Sequence, residues 1–155
     1  MPNFEIIEVS ELPYLYIEHT CSMDPADISK GMGLAFNEVW QHMQASGMKP
    51  AGPGLSVYYS HDPETLTFRA GFCVAPDDMA KVNGNVKADV IPSGQALHHT
   101  HMGPYATLRD DYELMMVYMK ENNLEMRIPS WELYINDPGQ TPEAKLITEC
   151  YTALA

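Results

Sequence analysis

The sequence predicts an α+β fold built from two β-α-β-β units in tandem, with a pseudo-twofold relation, an antiparallel sheet, both helices on one face and a groove between them. Three observations predict this fold. An internal repeat divides the 155 residues, two segments have helical periodicity, and the stretches around them alternate as strands do. Because 45% of the residues are hydrophobic, we expect one core and a single domain over residues 1–155.

The repeat appears in one string and in two helical segments. Residues 58–63 resemble residues 133–138, with an offset of 75 from Asp62 to Asp137. Two sets of apolar residues at helical spacing recur at an offset of 76: Met32, Phe36, Val39 and Met43, then Leu108, Tyr112, Met115 and Met119. We therefore place the first repeat at about residues 3–76 and the second at about residues 86–153.

Both helices have recognisable ends. The first begins at Asp24-Pro25, an N-cap followed by proline, and ends near Gly47. The second begins after Gly103-Pro104 and ends near Asn123. Glycine and asparagine tolerate the left-handed conformation that commonly follows a helix, so both ends fit the repeat.

Strand-like stretches precede and follow each helix. They cover residues 5–18, 55–60 and 66–74 in the first half, and 86–101, 131–136 and 144–151 in the second. Pro13 and Pro92 interrupt the two long stretches. Because proline removes a ladder donor, we expect each long stretch to be two strands or a bent edge strand.

One carboxylate breaks the repeat. At the offset of 75, Glu132 takes the position of Val57, on a face that should pack against the helices. An ionised carboxylate there costs several kcal/mol unless it is hydrogen-bonded, protonated, solvated or matched by a cation. In the opposite register Trp131 and Leu133 would face the helices and Glu132 would lie in water; the repeat favours the inward register.

Aromatic and methionine side chains are expected around an inward Glu132. The predicted ligand-binding residues are Glu132, Tyr134, Tyr59, Phe36, Trp40, Tyr112, Met115, Met116, Met119 and His99. A carboxylate among aromatic rings is suited to a lipophilic cation, and flexible methionines adapt to flat apolar ligands. A buried carboxyl can also act as a general acid or base, so Glu132 is the catalytic candidate if the chain is a hydrolase.

Charge and composition exclude several classes of function. The net charge is −12 with nine Lys and Arg, and these are scattered, so we expect no direct binding to nucleic acid or to an anionic membrane. The three cysteines have no CxxC spacing and the N-terminus has no signal-peptide pattern, which predicts a cytoplasmic, reduced chain. His99 and His101 have the i, i+2 spacing of a metal pair, but no third ligand is evident, so we expect no metal and no cofactor.

Three segments carry a resemblance to a known family. Residues 101–105, 129–138 and 148–151 contain Gly-Pro-Tyr, Glu-x-Tyr-x-x-Asp-Pro and Thr-Glu, and this pattern resembles the GyrI-like family, the effector-binding domain of bacterial AraC-type regulators. The resemblance implies a tandem β-α-β-β fold and a glutamate that meets cationic drugs, a position that Glu132 matches. No counterpart of a DNA-binding helix-turn-helix is expected here, so a role in transcription would need a separate partner.

The resemblance leaves three functions open. The first is binding of a lipophilic, aromatic or cationic small molecule with Glu132 as anchor. The second is a glutamate-dependent hydrolase that detoxifies electrophilic, cyclopropane-type compounds, as some relatives do. The third is a protein-binding module, similar to gyrase-inhibitory relatives, whose acidic surface contacts a regulator or a topoisomerase.

Overall fold

The structure is a computed structural model that describes residues 2–60 and 62–155; Met1 and His61 lie outside the described residues. The helices are α1 (Pro25–Ala45) and α2 (Leu108–Glu121). The strands are β1 (Glu5–Val9), β2 (Leu12–Ser22), β3 (Gly54–Tyr58), β4 (Thr65–Cys73), β5 (Lys87–Ile91), β6 (Gly94–Met102), β7 (Met126–Tyr134) and β8 (Ile147–Leu154). All described strand pairs are antiparallel, which confirms the predicted α+β class. Within the described residues, no helix combines the length and the apolar character needed to cross a membrane.

The chain forms two compact units. The N-terminal unit is Glu11–Pro92, and the C-terminal unit is Ser93–Ala155 together with residues 2–10. In the N-terminal unit the strands lie in the order β3-β4-β2-β5, and in the C-terminal unit they lie in the order β7-β8-β6-β1. Each unit thus has the same four-stranded antiparallel sheet and one helix.

The edge strands show how the two long stretches divide. Each stretch forms two strands, as predicted: β1 and β2 in the first, and β5 and β6 in the second. The second division falls at Pro92, but the first falls at Ser10 and Glu11, and Pro13 lies inside β2 opposite Val90. In both stretches the first strand pairs outside its own repeat: β1 pairs with β6, and β5 pairs with β2. β1 is therefore an edge strand of the C-terminal unit, although it precedes the N-terminal unit in the chain. In the same way, β5 is an edge strand of the N-terminal unit, although it leads directly into β6 of the C-terminal unit.

The helix ends follow the predicted capping residues. Asp24 accepts a hydrogen bond from the backbone of Ala26 at 2.9 Å and starts α1, and Gly47 follows its end with φ of 70°. A short 3-10 turn, Tyr105–Thr107, precedes α2, and Asn123 follows it with φ of 54°. Both ends therefore use the left-handed conformation that the sequence indicates.

Each helix buries its predicted apolar side against its own sheet. Val39 and Met43 of α1 pack on Leu15 of β2, and Met115 and Met119 of α2 pack on Leu97 of β6. The backbone of α1 lies close to β2 and β4, whereas the backbone of α2 stays further from its strands. Side chains rather than backbone therefore fill the space beneath α2.

The strand register corrects one sequence-based equivalence. Ser56 pairs with Ala70 in the N-terminal unit, and Glu132 pairs with Cys150 in the C-terminal unit. Ser56 also contacts Tyr58 through its hydroxyl, as Glu132 contacts Tyr134. The counterpart of Glu132 is therefore Ser56, at an offset of 76, and the predicted equivalence with Val57 at an offset of 75 is wrong. The error arises because Tyr58 and Tyr59 are adjacent, so the string aligns almost equally well in both registers.

Candidate functional site

The helix-facing side of the C-terminal sheet is unusually polar. Strand pairing across β6, β8 and β7 forms three rows there, namely His101–Thr148–Tyr134, His99–Cys150–Glu132 and Leu97–Thr152–Ser130. All of these residues are buried except Tyr134, which is half-buried. Buried polar groups are stable only when they are paired, so this layer marks the candidate site.

Glu132 lies at the centre of the site. Only 6% of its surface is exposed. Tyr112 of α2 donates its hydroxyl to Oε2 at 2.5 Å, and Tyr134 of β7 donates its hydroxyl to Oε1 at 2.8 Å. The contact with Tyr112 confirms the predicted inward register, because it places Glu132 on the face that α2 covers.

Burial and neighbouring groups have opposite effects on the pKa of the Glu132 carboxyl. Burial raises the pKa of its carboxyl, while the hydroxyls of Tyr112 and Tyr134 and the charge of His101 act in the opposite direction. Among the described residues, no Lys, Arg or His forms an ion pair with Glu132. Within the described part of the chain, the carboxyl therefore has two hydrogen-bond donors but no cation in direct contact, an arrangement that is costly when it is ionised.

The N-terminal unit has an uncharged version of the same arrangement. Its residues at an offset of 76 from Tyr112, Glu132 and Tyr134 are Phe36, Ser56 and Tyr58. Ser56 is fully buried and donates its hydroxyl to Tyr58 at 3.1 Å. The fold thus does not require a carboxylate at this position, which makes Glu132 a candidate for function rather than for stability.

The other predicted residues of the C-terminal unit surround this centre in different ways. Met115 and Met119 are buried beneath α2, whereas Met116 is 53% exposed. His99 is fully buried, and its ring meets Tyr112 edge-on with centroids 5.8 Å apart. Seven of the ten predicted ligand-binding residues therefore belong to this unit.

The remaining three predicted residues belong to the N-terminal unit. The rings of Phe36 and Trp40 both contact Phe72, with centroids 5.8 and 5.6 Å away. Tyr59 lies over the guanidinium of Arg69 at 4.4 Å, so it is not the counterpart of Tyr134. A ligand-binding role for these three residues, and the predicted groove between the helices, stay predictions.

The histidine cluster divides between the two faces of β6. His98 faces away from α2 and contacts Glu5 and Glu149. His101 faces α2 and contacts Asp111 through Nδ1 at 2.8 Å. Within residues 2–60 and 62–155, no group of three or more His, Cys, Asp and Glu has an arrangement that could hold a metal ion.

Sequence reasoning missed two parts of the site. Tyr105 packs edge-on against Tyr134, with ring centroids 5.5 Å apart, and Asp111 pairs with His101. Asp111 could have been identified from the repeat, because its counterpart 76 residues earlier is Ala35, which is buried. A carboxylate at the position of a buried alanine indicates a polar partner on the sheet.

Two cavities open near the described side chains. One, of about 370 Å³, lies in the C-terminal unit and is lined by His101, Thr107, Asp110 and Asp111 among others. The other, of about 460 Å³, lies in the N-terminal unit beside Arg69 and Lys87. Glu132 lines neither of these two cavities.

Solved structures share this fold. The C-terminal domain of EcmrR is 22% identical, with a TM-score of 0.83, and the match covers 100% of this chain and 98% of that domain. EcmrR in a DNA complex matches with the same TM-score of 0.83 and 22% identity over 99% of this chain, which spans 57% of that longer protein. SAV2435 bound to tetraphenylphosphonium is 14% identical, with a TM-score of 0.68 and coverage of 99% and 94%.

The family assignment comes from the sequence as a whole. No curated protein matches the chain in sequence. The model of the GyrI-like small molecule binding domain, however, matches residues 2–155. The repeat, the two matching sheets and the buried carboxyl all agree with that match, and the chain belongs to the family of GyrI-like small molecule binding domains.

Proposed function

We propose that this protein binds a lipophilic aromatic cation, with the Glu132 carboxylate as the counter-charge. The observation that carries the proposal is a buried carboxyl that accepts hydrogen bonds from Tyr112 and Tyr134 and has no cationic partner among the described residues. An aromatic cation would supply the missing charge and place its rings beside tyrosine faces. SAV2435, which shares the fold, was solved with tetraphenylphosphonium, a molecule of this class.

The surroundings of Glu132 support binding to a bulky apolar ligand. Met115 and Met119 fill the space beneath α2 with unbranched, flexible side chains, which can rearrange around a guest at low cost. Tyr105 and Tyr134 add an aromatic pair at the edge of the site. The net charge of −12 attracts cations over longer distances. The three cysteines are free, which accords with a site that works in the reducing cytoplasm.

The expected contribution of the charge follows from Coulomb's law. Two unit charges about 5 Å apart at an effective dielectric constant of about 20 interact with roughly 3 kcal/mol. Part of this is lost to the desolvation of the cation, so Glu132→Gln should weaken binding by about tenfold or more, or about 1.4 kcal/mol and above.

The test is a calorimetric titration of wild-type protein and Glu132→Gln with tetraphenylphosphonium. Glu143→Gln, an exposed position in the same unit, removes the same charge and is the matched control. Tetraphenylborate, of nearly the same shape but opposite charge, is the ligand control. We expect saturable binding that Glu132→Gln weakens and Glu143→Gln preserves, with no binding of the anion. Equal affinity in wild type and Glu132→Gln would contradict the proposal.

A second candidate, hydrolysis of an electrophilic compound, rests on the protonation of the same group. Burial raises the pKa of Glu132, and the tyrosine hydroxyls could assist it as an acid or base toward water. Incubation with a cyclopropane-bearing electrophile, followed by mass analysis, separates the two functions. Product formation by wild type that is lost in Glu132→Gln would favour the hydrolase; an intact ligand supports binding alone. If the protein neither binds cations nor turns over the electrophile, the protein-binding alternative gains support.

A further inference from the structure

Both ring nitrogens of His101 lie within hydrogen-bond distance of oxygen atoms at the start of α2. Nδ1 lies 2.8 Å from Asp111 Oδ2, and Nε2 lies 3.0 Å from the carbonyl oxygen of Pro104. The Thr107 hydroxyl, 3.1 Å from Nε2, donates its hydrogen to the same carbonyl at 2.8 Å. A carboxylate and a carbonyl can only accept, so Nδ1–H is the donor toward Asp111 and Nε2–H the donor toward Pro104. A bond to the Asp111 carboxylate is charge-assisted because the acceptor is ionised.

These contacts hold the first turn of α2 and the connection that leads into it. His101 belongs to β6, Pro104 and Thr107 belong to the connection that enters α2, and Asp111 lies in the first turn of the helix. The His101 side chain is 6% exposed, so the bonds are sheltered from water. His101 thus links the sheet to the start of α2, where Asp111 Oδ2 also lies 3.7 Å from Nε2 of His99.

Among its described residues, the other unit has no counterpart of the bond between His101 and Asp111. There Ser22 of β2 donates its hydroxyl to Asp27 in the first turn of α1 at 2.6 Å. The counterparts of His101, Thr107 and Asp111 are His19, Gly31 and Ala35. A Cβ at Gly31 would lie 2.7 Å from the His19 ring, because α1 packs directly on that ring. The N-terminal unit therefore seats its helix without a histidine–carboxylate bond, and the pair of His101 and Asp111 accompanies the Glu132 site.

We infer that His101 and Asp111 are positioning residues for that site: they fix the first turn of α2 so that Tyr112 meets Glu132. Tyr112 directly follows Asp111 in the chain, so the bond that holds Asp111 also fixes the backbone from which Tyr112 reaches Oε2 at 2.5 Å. The charge on His101 also favours the ionised form of Glu132. The positioning role itself does not depend on the proposed function; only the expected effect of these residues on ligand affinity rests on it.

The test needs no ligand in its first arm. The Glu132 carboxyl is followed by carbon-13 NMR through a pH titration of wild type, Asp111→Asn, Tyr112→Phe and the double variant. Asp110→Asn, an exposed neighbour that lines the same cavity, removes the same charge without a bond to His101 and is the matched control. We expect Asp111→Asn to shift the Glu132 titration upward and Asp110→Asn to leave it nearly unchanged. In the Tyr112→Phe background the effect of Asp111→Asn should be clearly smaller, because residues that act through one another are not additive.

The second arm measures affinity for tetraphenylphosphonium in the same variants. We expect Asp111→Asn to weaken binding by about fivefold in wild type and by less than about twofold in Tyr112→Phe. If Asp111→Asn does not fold, His101→Gln replaces it in both arms. Equal effects of Asp111→Asn in the two backgrounds would overturn the inference. Absence of binding by wild type, with the titration shifts as expected, would reject the proposed function and leave the positioning role standing.

Discussion

Replacement of Tyr112 by phenylalanine tests the energetics of the site most directly. The change removes the hydroxyl that donates to Glu132 Oε2 at 2.5 Å and keeps the ring that meets His99. A hydrogen bond to a charged group contributes about 1.5–3 kcal/mol, and a neutral one about 1 kcal/mol. We therefore expect Tyr112→Phe to lower the free energy of unfolding by about 1.5–3 kcal/mol when Glu132 is ionised, and by about 1 kcal/mol when it is protonated.

The pH dependence of this loss has a defined sign. Burial raises the folded-state pKa of Glu132 above its unfolded value. Its contribution to stability is therefore fully present below the unfolded pKa and is lost as the pH rises through the folded pKa. The Tyr112 hydroxyl lowers that pKa, so its removal moves the folded pKa further up. The variant should consequently lose more stability at pH 8 than at pH 4.

Urea unfolding at both pH values measures the effect. Trp131 is a suitable fluorescent reporter, because it is 3% exposed and stacks on Tyr151 with ring centroids 5.1 Å apart. The same substitution in a Glu132→Gln background is the control and should show no greater loss at pH 8 than at pH 4. Equal losses of unfolding free energy at pH 4 and pH 8 when Tyr112→Phe is made in the protein that retains Glu132 would refute the electrostatic reasoning.

Three further predictions concern the scaffold. Gly71→Ala should lower the free energy of unfolding by more than about 3 kcal/mol, because its Cβ would lie 1.8 Å from the Leu15 carbonyl oxygen. Gly33→Ala in α1, where a Cβ would meet nothing within 4 Å, should raise it by about 0.5–1 kcal/mol. Thermal melting measures both changes. Arg69→Met should lower the urea midpoint by an amount equivalent to about 1–3 kcal/mol, since the guanidinium donates to three side chains and lies between two tyrosine rings; an unchanged midpoint would contradict this. Burial raises the pKa of the Cys73 thiol to about 11 and also raises that of the Cys150 thiol, so a disulfide reagent at pH 8 should react in the native protein with Cys21 alone; rapid labelling of Cys73 or Cys150 would contradict this.

Local signals in the sequence were sufficient for the helices. Asp24, Gly47 and Asn123 define helix ends through their own backbone and side-chain preferences, which do not depend on distant partners. The inward direction of Glu132 was predicted correctly but from a wrong premise, because Ser56, and not Val57, is its counterpart on the helix-facing side. Its equivalence with Val57 was wrong by one residue, since a strand string with two adjacent tyrosines does not fix its own register.

Contacts between distant parts of the chain were not predictable in the same way. The pairing of β1 with β6 joins Glu5 to His98, and short strands contain no local information about such a partner. The bond between His101 and Asp111 depends on the path of the turn between β6 and α2, which no spacing rule supplies. Sequence reasoning thus identified the chemistry of Glu132 but not the residues that fix the start of α2.

The exchange of edge strands has a consequence for the order in which the protein can form. All strands of the N-terminal unit lie within Glu11–Pro92, so its sheet can close while the chain is still being synthesised. β1 is synthesised before this unit, yet its partner β6 follows only after the whole unit has been made. Until then β1, with Ile6, Ile7 and Val9, has no partner, and its carboxylates at Glu5 and Glu8 oppose association with other nascent chains. The sheet that carries Glu132 is therefore completed after that of the N-terminal unit, and slow β1–β6 pairing would delay formation of the Glu132 site rather than folding of the N-terminal unit.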